Sequence, residues 1–308
     1  MIGTVTLNPA VDRRYNIDKF EIGSVKRTKN YSASAGGKGL NVSRVVRMLG
    51  EEVGAFGFLG GSTGDYILNE LEKLEVKSYF TKIQGTTRTC LNIIDEIGDN
   101  IEILEKGPII EEEEVNSLLS KFKKAITKFD IITISGSIPL GVKDNIYGEL
   151  IHIANKNNIK TILDTSKGAF IENLKASPYI VKPNKEEVES ITGISMCSEE
   201  NIITAAEKIL ELGAKNVAIS LGAEGMYFIG VEGRFKVNIP KIELVNAVGS
   251  GDSSVAGFAV GFSQGLDIEG VLKLANACGI SNAMEKNTGF IDPVVVKDLT
   301  EKIEISSL

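Results

Sequence analysis

The sequence has a single histidine, His152, and three cysteines that lie far apart along the chain. One histidine cannot build a multi-histidine zinc site, and a Ser-His-Asp triad would have to use a histidine from the helix-like segment IYGELIHIANKN. Cys90, Cys197 and Cys278 form neither a disulfide framework nor a CxxC pair, and we expect them to be buried thiols. The chemistry of this chain must therefore rest on carboxylates, lysines and backbone amides.

Long apolar runs and blocks of basic residues are also absent. No apolar run approaches the roughly 20 residues of a membrane span, and the chain opens with the strand-like MIGTVTL rather than with a signal peptide. The formal charge of -7 comes from 41 acidic and 34 basic residues without a basic cluster, so nothing indicates a nucleic-acid or anionic-membrane surface. We expect a cytoplasmic enzyme whose partners are neither nucleic acid nor membrane.

The composition favours a globular α/β enzyme. The 308 residues are 43% hydrophobic and include 32 glycines but only 7 prolines. Short apolar runs rich in valine and isoleucine alternate with amphipathic segments, which predicts a mainly parallel central sheet covered by helices. The predicted strands are Gly3 to Leu7, Val53 to Phe58, Asp130 to Ser135, Lys160 to Leu163, Tyr179 to Lys182 and Asn216 to Ser220. The predicted helices include Glu111 to Phe129, Asp144 to Lys156 and Glu199 to Leu212.

Two segments depart from this alternation, RRYNIDKFEIGSVKRTKNYSAS and TTRTCLNIIDEIGDNIEILEKG. The second alternates around the turn signal Gly98-Asp99-Asn100, and each segment is typical of a hairpin outside the main sheet. We predict that they meet as a small β-sheet lid, built from about 12–34 and 86–106, over one edge of the domain. No linker or repeat divides the chain, so residues 1–308 are interpreted as one domain.

The strongest local motif is Val248-Gly-Ser-Gly-Asp252, which precedes a segment of small and apolar residues expected to be a buried helix. The backbone amides of Gly249, Ser250 and Gly251, together with the helix dipole, would form an anion hole. Asp252 at its mouth could accept a proton from an attacking hydroxyl. The alternative is an aspartate that only caps the first helical turn.

A second glycine-rich segment, Ala35-Gly-Gly-Lys-Gly39-Leu-Asn41, leads into VSRVVRMLG. Its turn admits close approach of a ligand, and Lys38 adds positive charge at a helix start, which suits a sugar phosphate. Asp12, after the first strand, could bind sugar hydroxyls or could simply form a turn. The segment lacks the Ser/Thr of a P-loop and no GxGxxG follows a strand, so other residues must hold any nucleotide.

The chain resembles the ribokinase-like (PfkB) carbohydrate kinases over nearly its whole length. Nine motifs fall in the order seen in that family: TLNPAVD, AGGKGLNVSR, GFLGG, TTRT, SGSIPLG, LDTS, VKPNKEEV, ISLGAEGM and VGSGDSSVAGF. TLNPAVD and GGKG look like the phosphosugar branch, which contains tagatose-6-phosphate kinase and 1-phosphofructokinase. GSGDS, where fructose-1-phosphate enzymes commonly read GAGDS, favours tagatose 6-phosphate, as do EILEKGPII and NTGFI. The alternative is 1-phosphofructokinase.

The resemblance implies that ATP and Mg²⁺ are used to phosphorylate a primary hydroxyl of a ketohexose phosphate. It makes Asp252 the catalytic base. Lys38 and Arg88 suit the phosphate already on the sugar; the alternative for Arg88 is an exposed strand arginine. The implied anion hole is Gly249, Ser250 and Gly251; the implied substrate contacts are Asp12, Gly37, Lys38, Asn41 and Arg88; the implied nucleotide contacts are Lys182, Asn184, Ser220, Gly222 and Asn276.

The segment Asn184-Lys-Glu-Glu187 resembles the family's NxxE element, which organises Mg²⁺ near the ATP phosphates, mostly through water. Taken alone, it is an ordinary helix start with an asparagine cap and an acidic first turn. Two other functions stay open, a non-catalytic sugar-phosphate sensor and a nucleoside kinase. The intact GSGD motif argues against the first, and the positive charge of GGKG and Arg88 argues against the second. The lid could also pair two copies into a homodimer.

Overall fold

The computed structural model describes residues 1–165 and 167–308. The strands at the centre of its main sheet follow apolar runs of the sequence and are almost entirely buried, as a sheet covered on both faces requires. The strands are β1 (Ile2–Thr6), β2 (Ala10–Asn16), β3 (Tyr31–Gly36), β4 (Val53–Leu59), β5 (Lys77–Ser78), β6 (Thr81–Lys82), β7 (Arg88–Ile94), β8 (Asn100–Leu104), β9 (Ile131–Ser135), β10 (Lys160–Asp164), β11 (Ile180–Val181), β12 (Asn216–Ser220), β13 (Met226–Gly230), β14 (Gly233–Asn238) and β15 (Glu304–Ser307).

The central sheet has the order β15-β14-β13-β12-β11-β10-β9-β1-β4-β5, and β6 also pairs with β4. The strands from β12 to β4 run parallel, whereas β13, β14 and β15 add an antiparallel edge. The predicted mainly parallel α/β sheet is therefore confirmed, and the six predicted strands lie within one residue of their expected bounds. The antiparallel edge was not predicted.

Helices cover both faces of this sheet. One apolar cluster lies under the helices within residues 38–73 and 250–302, and a second lies under the helices within residues 112–211. The predicted helix over residues 111–129 ends at Ala125 and continues as a short 3₁₀ turn, Ile126–Lys128. The helices are α1 (Lys38–Met48), α2 (Gly61–Lys73), α3 (Glu112–Ala125), α4 (Ile146–Lys156), α5 (Lys167–Leu174), α6 (Lys185–Thr192), α7 (Glu199–Glu211), α8 (Ser250–Ser263), α9 (Ile268–Ala283) and α10 (Pro293–Lys302).

A separate four-stranded sheet has the order β3-β2-β7-β8. The pairs β2–β3 and β7–β8 are antiparallel hairpins, and the two hairpins join through a parallel pairing of β2 with β7. The small second sheet expected from the sequence is thus present, with strands at residues 10–16, 31–36, 88–94 and 100–104. Whether it acts as a lid stays a prediction, and we call it the lid sheet below.

The three cysteines differ in their burial. Cys90 and Cys278 are buried, but Cys197 is exposed, so the expectation of buried thiols was wrong for that residue, which immediately precedes the exposed start of α7. In the part of the chain that the structure describes, no helix is both long and apolar enough to cross a membrane.

Candidate active site

The segment Val248 to Gly251, which we call the anion loop, lies at the amino end of α8, a helix that is buried along nearly its whole length. Gly249 is its N-cap with a φ of 88°, a left-handed conformation that side chains other than glycine rarely adopt. An added Cβ there would lie 2.8 Å from the backbone nitrogen of Gly289. Asp252 lies in the first turn and is only 7% exposed. The sequence therefore places a buried carboxylate directly beside the amides that begin the helix.

Asn282, on α9, braces this loop and was not singled out by the sequence. Its Nδ2 donates to the carbonyl oxygen of Val248 at 2.9 Å, and its Oδ1 accepts from the backbone nitrogen of Gly289 at 2.8 Å. The side chain is fully buried. Because both ends of the amide hold backbone groups, Asn282 ties the anion loop to the connection between α9 and α10.

Asp252 has one direct side-chain partner among the described residues, Asn41 of α1. The Asn41 Nδ2 donates to Oδ2 of Asp252 at 2.8 Å, across 211 residues of sequence. Burial and the neighbouring Asp164 raise the pKa of Asp252 to about 6, against the lowering effect of the Asn41 hydrogen bond. Such a carboxylate is ionised at neutral pH and yet accepts a proton more readily than an exposed aspartate. The predicted base and the predicted substrate contact Asn41 thus belong to one cluster.

Asp164 at the carboxyl end of β10 holds two lysines and was also not predicted as a site residue. Lys38 Nζ lies 3.0 Å from its Oδ1, and Lys182 Nζ lies 3.5 Å from its Oδ2. Burial opposes ionisation of Asp164, but the two ammonium groups hold the pKa of that carboxyl below its ordinary value. Lys182 also lies beside the anion loop, 3.2 Å from the point where a Cβ on Gly251 would stand. The sequence signal that could have identified Asp164 is a carboxylate at the end of an apolar strand, in the motif LDTS. Ser166 of that motif lies outside the described residues.

The lid sheet contributes Asp12 from β2 and Arg88 from β7. The Asp12 carboxylate lies over Gly36, where an added Cβ would come within 1.9 Å of Oδ2. Burial raises the pKa of Asp12 to about 6, although Arg88 and Arg44 act in the opposite direction. Arg88 donates to the carbonyl oxygens of Asn8 and Glu105 and has no carboxylate within ion-pair distance among the described residues. Its charge is therefore not neutralised by direct contact.

The predicted nucleotide residues lie at the ends of neighbouring strands. Asn184 follows β11 and pairs with Ser220, the last residue of β12, in an isolated parallel bridge. Gly222 begins the short 3₁₀ turn that follows, with a φ of 59° and open space where a Cβ would stand. The carboxyl ends of parallel strands are the usual ligand-binding edge of an open α/β sheet. Lys182, Asn184, Ser220 and Gly222 are thus brought to one edge.

Asn276 is placed differently from these residues. It lies on α9 and is 8% exposed, and its Nδ2 donates to the carbonyl oxygen of Leu272 and approaches the sulfur of Met226. Its amide nitrogen is therefore engaged within the helix and against β13. Its proposed contact with adenine stays a prediction.

Asn184 and Glu187 form a reciprocal cap at the start of α6. Asn184 Oδ1 accepts from the Glu187 nitrogen at 2.9 Å, and Glu187 Oε2 accepts from the Asn184 nitrogen at 3.0 Å. Within the described ranges, no group of three or more His, Cys, Asp or Glu side chains is placed to hold a metal ion. The side-chain oxygens of Asn184 and Glu187 are of the type that Mg²⁺ prefers, and Mg²⁺ keeps much of its water in proteins. These two residues fit a site in which water and the phosphate oxygens of the nucleotide supply the other ligands.

Comparisons with known proteins bear on this arrangement. Residues 2–294 match the pfkB family of carbohydrate kinases. A candidate phosphofructokinase from Staphylococcus aureus is 31% identical, with a TM-score of 0.89 over 100% of this chain and 99% of that one. Phosphofructokinase-2 from Escherichia coli, solved with substrates and products, is 26% identical with a TM-score of 0.88 over 98% of both chains. A candidate 1-phosphofructokinase from Thermotoga maritima is 26% identical with a TM-score of 0.88 over 100% and 99%.

The match to the family covers almost the whole chain, and the similar structures align with it from end to end. The order of motifs in the sequence resembles the same family, and the buried carboxylate at the anion loop suits the phosphoryl transfer that such kinases perform. The chain belongs to the PfkB family of carbohydrate kinases and is an ATP-dependent phosphosugar kinase.

Proposed function

We propose that this kinase phosphorylates the free primary hydroxyl of a ketohexose phosphate, most specifically C1 of tagatose 6-phosphate, to give tagatose 1,6-bisphosphate. The observation that carries the proposal is the pair Asn41–Asp252 at the anion loop, together with Arg88 of the lid sheet, which no carboxylate of the described residues contacts. A base, an anion hole and a separate cationic group are the three parts that a phosphorylated acceptor requires.

Asp252 acts as the general base in this proposal. Its Oδ2 accepts the Asn41 amide, which leaves Oδ1 to accept the proton of the attacking sugar hydroxyl. The amides of Gly249, Ser250 and Gly251 and the nearby Lys182 ammonium offset the charge of the transferred phosphoryl group. The reaction then needs no covalent intermediate on the protein.

Mg²⁺ bound with ATP would neutralise phosphate charge. Glu187 and Asn184 would hold it through water, since each already gives one oxygen to the α6 cap. Burial lowers the pKa of Lys38, whereas Asp164 raises it most, with smaller contributions in the same direction from Asp252 and Glu187. Glu187 thus acts through space on Lys38, which supports a metal position on the side of the site that holds the Asp164 cluster of Lys38, Asp164 and Lys182.

Asp12 and Arg88 are proposed to hold the acceptor from the lid side. Asp12 would accept hydrogen bonds from sugar hydroxyls, and Arg88 would bind the phosphate already on the sugar. Residues that pair across strands, and residues two apart along a strand, lie on the same face of a sheet. Asp12 pairs with Cys90, two residues from Arg88, and Arg14 pairs with Asn92, which in turn pairs with Glu102. One face of the lid sheet therefore carries the charged residues Asp12, Arg14, Arg88 and Glu102. This polar face supports a role in binding a charged sugar.

The choice among ketohexose phosphates rests on sequence motifs, and 1-phosphofructokinase activity is the second candidate. Tagatose 6-phosphate presents a free C1 hydroxyl, whereas fructose 1-phosphate presents C6 and must bind in the reverse direction. A kinetic panel with tagatose 6-phosphate, fructose 1-phosphate, fructose 6-phosphate and unphosphorylated sugars tests the proposal. We expect the highest kcat/KM for tagatose 6-phosphate; a preference for fructose 1-phosphate would replace the substrate but keep Asp252 as base.

We also propose that two copies pair through the second face of the lid sheet. That face carries Tyr15, Tyr31, Leu91, Ile101 and Ile103, with the two tyrosine rings stacked at 6.0 Å. Tyr31, Ile101 and Ile103 are 65%, 47% and 49% exposed, which is unusual for neighbouring large apolar residues on one sheet. A second copy is the occupant we favour, because the similar phosphofructokinase-2 from Escherichia coli has been solved as a tetramer.

A further inference from the structure

Arg44, on α1, is a buried arginine that the proposed mechanism does not use. It is 5% exposed, and no carboxylate of the described residues lies within ion-pair distance of it. Its ring partner is Phe290, whose centroid lies 5.1 Å from the guanidinium carbon. A charge in such a place normally has a specific reason, because desolvating a guanidinium is costly.

Every hydrogen bond of Arg44 goes to a neutral oxygen of the active-site surroundings. Its Nη1 donates to Oδ1 of Asn41 at 3.0 Å and to the carbonyl oxygen of Thr288 at 3.3 Å. Its Nη2 donates to the carbonyl oxygen of Ala35 at 2.6 Å. Arg44 thereby joins the end of β3 in the lid sheet, the connection between α9 and α10, and the side chain that holds Asp252.

The contact with Asn41 fixes the direction of an amide. A guanidinium has only donors, so the oxygen of the Asn41 amide must face Arg44. The amide nitrogen must then face the opposite way, where it donates to Oδ2 of Asp252 at 2.8 Å. Asp252 favours the same orientation, because its carboxylate accepts from the amide nitrogen and repels the amide oxygen. Arg44 and Asp252 thus hold the amide from opposite sides, and loss of Arg44 would leave it held at one end only.

We propose that Arg44 is a positioning residue for catalysis, which orients the Asn41 amide so that one oxygen of Asp252 is held and the other stays available for the substrate hydroxyl. This inference rests on the proposed role of Asp252 as the base. It assigns a catalytic consequence to an arginine that contacts neither substrate nor Asp252 directly.

The test compares Arg44→Met and Asn41→Leu with the double variant in steady-state assays over a range of pH. We expect each single change to lower kcat by about tenfold and the double variant to be no slower than Asn41→Leu, since both changes remove the same hydrogen bond. Each change should also move the acid limb of the pH–kcat profile, where kcat falls as Asp252 becomes protonated, to higher pH. The reason is that a carboxylate that loses a hydrogen-bond donor takes up its proton more readily. Asp164, Lys38 and Lys182 around Asp252 are the same in all variants, whereas the Arg44 variants also remove a cation that acts on Asp252 through space. Asn41→Leu keeps Arg44, so its acid limb reports the loss of the hydrogen bond without that change of charge.

Arg47 supplies a matched control one turn further along α1. It donates to the carbonyl oxygens of Leu74 and Glu51 and pairs with Glu75, away from Asp252. Arg47→Met should lower the melting temperature without changing kcat or the acid limb. If Arg44→Met does not accumulate as folded protein, Arg44→Gln replaces it, since a glutamine amide does not impose an orientation on Asn41.

Two results would overturn the inference: wild-type kcat and an unmoved acid limb in a folded Arg44 variant, or losses in the two single variants that simply add in the double. Asp252→Asn in the same assay separates this failure from failure of the proposed function. If Asp252→Asn is nearly inactive and Arg44→Met is normal, only the role of Arg44 is wrong. If Asp252→Asn stays active, the base itself is wrong.

Discussion

Lys38 and Lys182 approach different oxygens of one buried carboxylate, Asp164, at 3.0 and 3.5 Å. The two lysines come from the start of α1 and the end of β11, so Asp164 keeps two cations together that would otherwise repel each other. Burial and Asp164 both raise the pKa of Asp252. One carboxylate thus holds the two lysines together and acts on the proposed base, Asp252.

The first prediction concerns Asp164→Asn. This change leaves Lys182, which is 5% exposed, without a counterion, and breaking a buried ion pair costs about 3 kcal/mol of folding free energy or more. The melting temperature should fall, and kcat should fall because the two ammonium groups lose their common anchor. Removing a negative neighbour should also lower the pKa of Asp252, so the acid limb of kcat should move to lower pH.

Thermal denaturation and pH-rate profiles check this prediction, with Glu207→Gln as the control. Glu207 pairs with Arg234 at the surface, where such pairs contribute little. An Asp164→Asn variant as stable and as active as Glu207→Gln would contradict the role given to Asp164.

The second prediction concerns the pH dependence of the wild-type enzyme and of Asp252→Asn. Because Asp252 must be ionised to accept a proton and its pKa is about 6, kcat should decline as the pH falls through that value. Asp252→Asn should lose roughly a hundredfold or more in kcat while calorimetry still detects binding of ATP and sugar phosphate. A flat profile down to pH 5 in the wild type would exclude this carboxylate as the titrating base.

The third prediction separates Arg88 from Lys38. Sequence motifs assign both to the phosphate already on the sugar, but Lys38 is held by Asp164 while Arg88 is held by the backbone at Asn8 and Glu105. Arg88→Met should raise KM for the phosphorylated sugar by about tenfold or more and leave KM for ATP unchanged. Lys38→Met should mainly lower kcat, since its ammonium lies in the cluster beside Asp252.

Initial-rate kinetics with each substrate varied in turn make this distinction. An equal rise in the sugar KM for both variants would favour the joint assignment from the motifs. A rise in the ATP KM for Arg88→Met would place the sugar phosphate elsewhere.

The fourth prediction concerns assembly through the lid sheet. Ile103→Lys introduces a charge into the apolar face that includes Tyr15, Tyr31 and Leu91, so it should convert dimers to monomers in sedimentation velocity experiments. Leu104→Lys is the control, because the next residue of β8 points to the other face and is itself 65% exposed. A wild-type protein that sediments as a monomer at micromolar concentration would contradict the proposed dimer.

The sequence predicted six of the parallel strands well, since each is a short apolar run with few alternatives. It missed the two-residue strands β5 and β6, which are not apolar. It also predicted two hairpins outside the main sheet. It did not predict that they would join through the parallel pairing of β2 with β7, because strands separated by more than 70 residues carry no local signal for pairing. The antiparallel edge was missed in part because β14 is only partly buried and β15 is mostly exposed, so neither gives a strong apolar run. β13 is a buried apolar run, MYFIG, that could have been predicted as a strand.

The residues of the candidate site that belong to contiguous sequence motifs could be predicted. The residues that only packing brings to the site could not. Asp252 and the anion loop stand out because their glycines and their helix are contiguous. Asn282 lies outside the motifs, and Arg44 ends the motif AGGKGLNVSR without a role assigned to it there. Both bind backbone groups that are distant in sequence, as with Arg44 and Thr288. Such residues become recognisable only when the fold shows that they are buried and what they hold.

The alternation of the lid strands has a consequence for substitutions in this protein. In β2, β7 and β8 the even-numbered residues, such as Asp12, Arg88 and Glu102, share one face, whereas the odd-numbered residues, which include Arg13 as well as Tyr15, Leu91 and Ile103, share the other. A scan of these strands should therefore divide by parity into variants that change sugar affinity and variants that change assembly. A one-residue insertion within β7 would exchange the two sets beyond it and impair both properties together.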